Sequence, residues 1–126
     1  MHDRTTPPTV TLPTIDHGPV TLPEPAWCTG HADHIPGYRT DLTHAGPEHE
    51  FAFDGETLLV AMLTQAPLAE HSGRAAGLYV EQTGYARTLD AAQLRQLAAA
   101  LTVHAMRLRT LADELAALED AEGPTR

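Results

Sequence analysis

Between Asp90 and the Gly123-Pro124 pair the chain contains no glycine and no proline, and Leu94, Leu97, Leu101, His104, Leu108, Leu111, Leu115 and Leu118 recur at spacings of three and four. An uninterrupted pattern of that period specifies an amphipathic helix, and Ala98, Ala105 and Ala112 widen its apolar stripe. Asp90 can cap the free backbone N–H groups at the start. Gln93, three residues on, completes a capping-box-like pair, and Gly123-Pro124 stops the run. The spacing predicts a helix over about residues 90–119.

Such a helix is about 45 Å long at ~1.5 Å per residue, whereas strands of five to seven residues make a sheet only about 17 to 23 Å long. A small sheet therefore leaves part of the stripe uncovered. Either the helix breaks near Thr102-Val103-His104, or its second half meets another helix, most simply the same helix of a second subunit. The absence of glycine and proline favours the homodimer. His104 is the one polar residue in the leucine seam. It is expected to be a satisfied core histidine or to lie at the dimer surface, where two copies would fix register and protonation would loosen the pair.

Upstream the period changes to two. His49-Glu50-Phe51-Ala52-Phe53, then Asp54-Gly55, then residues 56–63 read as a hairpin, because Asp-Gly accepts the positive φ values of a type I′ turn. Residues 58–63 are apolar on both faces, which places that strand centrally. Residues 65–77 form a loop, and Gly77 to Gln82 supply a third strand that ends at Thr83-Gly84. Residues 1–26 carry six prolines and a repeated Val-Thr-Leu-Pro, at Val10–Pro13 and Val20–Pro23. That composition predicts a flexible, extended arm, or a short edge strand at either repeat.

Cys28, His31, His44 and His49 form a C-x2-H-x12-H-x4-H ladder, with His34 inside it as a fifth candidate ligand. Thiol and imidazole donors at such spacing point to zinc. A DNA-reading finger is excluded, since Pro36-Gly37 and Gly46-Pro47 interrupt the segments where a finger needs a continuous fold. Asp33, Asp41 and Glu48 are near enough in sequence to orient the imidazoles through their second nitrogen. Two other readings remain open at this point. The histidines are surface groups and Cys28 is a buried thiol, or Cys28 is a nucleophile and an open metal position activates water, with Glu48 or Glu50 as base.

Charge narrows the partners. The chain has 17 acidic residues against 8 arginines and no lysine, a net charge of −9, so its surface repels phosphate and nucleic acid is not an expected partner. Its start lacks an apolar signal-peptide core, no stretch approaches a membrane span, and a single cysteine forms no internal disulfide. A cytoplasmic location is expected.

Pro25-Ala26-Trp27-Cys28, the histidines that follow, His44-Ala45-Gly46 and the strand Leu78-Tyr79-Val80-Glu81 resemble a small actinobacterial domain family of unknown function with a Pro-x-Trp-Cys, His, His-x-Gly pattern. The resemblance covers about residues 24 to 118. It implies a soluble actinobacterial or phage-borne protein, and brings no activity or catalytic residue with it.

The expected architecture is α+β, a small antiparallel sheet packed by one long C-terminal amphipathic helix with an N-terminal Cys/His loop. Residues 1–26 are the arm, 27–122 a single domain and 123–126 a tail. The expected function is a small non-enzymatic regulatory or adaptor protein with a structural zinc loop closed by ligands from Cys28, His31, His34, His44 and His49, dimerising through its helix. An enzyme using Cys28 or an open metal site, and a metal-free protein-interaction module, are the alternatives.

Overall fold

A computed structural model describes residues 8–71 and 73–122, so the expected tail at 123–126 and the first residues of the expected arm lie outside the described residues. The fold is α+β, with strands β1 (Thr9–Thr14), β2 (Gly18–Pro23), β3 (His44–Ala45), β4 (His49–Phe53), β5 (Glu56–Gln65) and β6 (Gly77–Gln82), followed by helix α1 (Ala91–Glu122). Its contacts gather in two compact units. One comprises the chain up to Pro47 with Leu63–Gly77, and the other Glu48–Met62 with the chain from Leu78 onward. Strand β5 contributes to both.

In the first unit the stretch expected as a flexible arm is an antiparallel hairpin, in which β1 pairs with β2 from Thr9↔Pro23 to Thr14↔Gly18. The two Val-Thr-Leu-Pro copies explain it. Alternation along each strand turns Val10, Leu12, Val20 and Leu22 to one face, where Leu12, Leu22 and Leu42 are buried and Val10, Val20 and Leu68 pack around them. Thr11 and Thr21 stand opposite each other on the other face with their hydroxyls 2.8 Å apart. Pro13 is paired with Pro19, so the two missing N–H groups fall at one place in the ladder. At the turn, the Thr14 hydroxyl donates to Gly18 O (2.7 Å) and accepts from His17 N (2.9 Å). Beyond a 3-10 turn at Arg39–Asp41, β3 joins β5 through His44↔Gln65 and Ala45↔Thr64.

In the second unit β4 pairs with β5 from His49↔Ala61 to Phe53↔Glu56, with a register shift after Phe51. Asp54 (φ 54°) and Gly55 (φ 81°) both take positive φ, as the expected turn requires. β6 also pairs with β5, which is therefore the central strand. The helix begins where the sequence indicates. Gln93 N donates to Asp90 Oδ1 (2.8 Å) and Asp90 N donates to Gln93 Oε1 (3.0 Å), a reciprocal capping box. It then runs unbroken for 32 residues, which removes the alternative of a break near Thr102-Val103-His104. α1 packs on β4, and His104 stacks on Phe51 with ring centroids 4.7 Å apart and 23° between planes. No described helix is long and apolar enough to cross a membrane.

Candidate metal centre

The first unit brings four side chains to one point: Glu24, Cys28, His31 and His44 each present a donor atom, all within 4.8 Å of one another. Glu24 follows the last residue of β2, and its backbone N donates to Pro8 O (2.9 Å). Cys28 and His31 lie on the next loop. That loop is fastened to β3 by the backbone N and hydroxyl of Thr29, both of which donate to Ala45 O (2.9 and 3.2 Å). His44 is the first residue of β3.

Gly46 makes the close approach possible. A Cβ at that position would meet Trp27 O at 3.2 Å, Leu63 Cβ at 3.4 Å and the Trp27 ring at 3.5 Å. The Trp27 ring in turn meets His44 edge-on at 6.3 Å. The Trp-Cys and His-x-Gly pieces of the sequence are thus two halves of one contact.

One oxygen of Glu24 organises the group. Its Oε1 lies 3.0 Å from His31 Nε2 and 3.0 Å from His44 Nδ1, and His31 Nε2 lies 3.5 Å from Cys28 Sγ. His44 is 2% exposed, and among the described residues its Nδ1 has no well-formed hydrogen-bond partner, although Glu24 Oε1 lies close by. A buried polar nitrogen without a partner is costly, unless a further atom belongs between it and its neighbours. Tetrahedral bonds of about 2.0 to 2.3 Å would separate adjacent donors by about 3.3 to 3.8 Å, so the two 3.0 Å spacings at Glu24 need a slight expansion to receive an ion, and no donor pair lies beyond 4.8 Å.

The electrostatics agree with that role. Burial holds the His44 pKa below its usual value, and Glu24 offsets this only in part, so the imidazole keeps the free lone pair that ligation needs. Burial pushes the Glu24 carboxyl up, but hydrogen bonds from His31 and Cys28 and the nearby imidazole charges outweigh it, leaving its pKa lowered. Glu24 as carboxylate, with Cys28 as thiolate once it ligates, would supply two negative charges to balance one divalent cation.

The structure brings together three of the five candidate donors. Cys28, His31 and His44 come together as expected, whereas His34 and His49 lie outside the cluster. The His34 ring donates from Nε2 to Pro13 O (2.9 Å), and His49 begins β4 in the second unit. Asp33, Asp41 and Glu48 were the expected orienting carboxylates, but both imidazoles face Glu24 instead. Glu24 lies in the proline-rich stretch whose composition predicts an arm, so residue type alone does not single it out. Its signal was its place four residues before Cys28, in Glu-x3-Cys-x2-His.

These features define a small α+β protein with a Glu/Cys/His/His cluster able to hold a metal ion. The chain belongs to the domain of unknown function DUF6907, whose family model matches residues 9–117. The match takes in the β1–β2 hairpin as well as the cluster and most of α1. No curated protein matches the chain, and no solved structure matches it.

Proposed function

We propose that this is a small non-enzymatic regulatory or adaptor protein of the cytoplasm in which Glu24, Cys28, His31 and His44 hold one zinc ion. The observation that carries the reading is the buried, unpartnered Nδ1 of His44, 3.0 Å from a carboxylate oxygen that also meets His31. Zinc is the ion of choice because one thiolate and two imidazoles disfavour magnesium and calcium, and four protein donors suit a structural site. The ion would pin the loop carrying Cys28 and His31 to β3.

Helix pairing belongs to the same reading, with a second copy of the chain as partner. An unbroken helix of 32 residues is about 48 Å long, and Leu94 and Leu101, one heptad apart, are 57% and 45% exposed. Covering them against the same residues of a second α1 removes that apolar surface from water.

Elemental analysis of untagged protein tests the metal reading. One zinc per chain is expected, lost in Cys28→Ser and His44→Ala and kept in His34→Ala and His49→Ala. Wild-type protein without metal, or a loss in His49→Ala equal to that in His44→Ala, overturns it.

A further inference from the structure

The metal cluster is not sealed on every side. A groove of about 450 Å³ runs beside it, walled by Pro8, Pro23, Pro25 and Pro67, and both Glu24 and His44 form part of its lining. That volume lies within the range of small-molecule sites, about 300 to 1,000 Å³, which are likewise mostly apolar with a few polar groups at one place. Cys28 and His31 do not line it. The groove therefore meets the cluster on the Glu24 and His44 side.

The two donors that reach the groove differ in how far they are enclosed. His44 is almost wholly enclosed, with its side chain 2% exposed, while the Glu24 side chain is 19% exposed, more than the 10% of His31. Glu24 is also the one hard oxygen donor among softer ones. It is the ligand that an incoming group can replace, leaving Cys28, His31 and His44 as the three-residue frame of an open zinc position.

Resting on the zinc reading above, we infer that this groove is a binding site for a small aliphatic carboxylate, whose head takes the place of Glu24 on the ion while its chain lies along the prolines. Exchange of one carboxylate for another leaves the donor type at the ion unchanged, and the displaced Glu24 carboxylate, 19% exposed, turns to water at the mouth of the groove. Selectivity and affinity then come from the apolar wall. Rigid proline rings lose no side-chain rotamer freedom when the groove is filled, so covering them adds no ordering cost from the wall itself. Without the ion, the Glu24 carboxylate repels the same ligand.

Cobalt-substituted protein, titrated with acetate, butyrate and hexanoate and followed by its visible ligand-field bands, tests the site. A saturable change in the bands is expected with each acid. Affinity should rise about three- to four-fold per added methylene, as burial of each CH2 requires. Metal-free protein should bind none of the three. Ala26→Trp, which places a bulky ring in the groove wall, should retain the cobalt bands of the wild type and weaken hexanoate at least ten-fold. Failure of cobalt to bind overturns the metal reading and this inference with it. Cobalt bands that do not respond to hexanoate, equal affinities for acetate and hexanoate, or unaltered hexanoate binding in Ala26→Trp with its cobalt bands intact, overturn the ligand site alone.

Discussion

His104 and Gly46 show how much depends on single positions. His104 is 6% exposed, and among the described residues its Nε2 has no hydrogen-bond partner in the stack against Phe51. Burial depresses its pKa, with a smaller contribution from Arg107. The unfolded chain takes up this proton as pH falls through about 6.5, and the folded chain only at lower pH. Over that window the unfolded state binds more protons, so stability falls as the solution is acidified. His104→Leu should flatten this part of the dependence, seen as a smaller drop in the urea midpoint between pH 7.5 and 5.5 than in the wild type. Gly46→Ala acts through space rather than charge. The added methyl must displace Trp27 or Leu63, at a cost of about 1 to 3 kcal/mol, and urea denaturation should show it together with weaker metal retention. The same scale explains what the sequence hid. Cys28, His31 and His44 are recognisable as soft donors by type and spacing, but Glu24 is one acid among 17, and only the closure of β2 against the following loop distinguishes it.

Among the elements, α1 and the β4–β5 hairpin were legible because their signals are local. A capping box, a seam without breakers and an Asp-Gly turn each act within a few residues. Asp90→Ala should therefore lower stability by about 1 kcal/mol in thermal or urea unfolding, through the lost acceptor for Gln93 N. Leu94→Glu, at a position 57% exposed, should leave the helical circular dichroism unchanged and shift sedimentation from dimer to monomer. A monomeric wild type would dispose of the paired-helix reading. The β1–β2 hairpin was obscured for the opposite reason. Its prolines resemble breakers when each is read alone, and only cross-strand pairing shows that Pro13 and Pro19 share one site in the ladder. Val10, Leu12, Val20 and Leu22 were too few to announce a core until Leu42 and Leu68, from distant segments, joined them.

At the scale of the whole molecule, the α+β class followed from element types, whereas the two units did not, because their membership depends on contacts between segments far apart in sequence. The chain leaves the first unit at Pro47, returns at Leu63 and leaves again after Gly77. A polypeptide beginning at Trp27 would lack Glu24, Leu12 and Leu22, and should neither retain zinc nor give a cooperative unfolding transition for the first unit. Full zinc retention by that truncation would show that the hairpin and its carboxylate are dispensable. The crossing path has a consequence for inheritance. No one cut yields either unit intact, so a single crossover cannot trade the metal-cluster unit for another while keeping the helix unit whole.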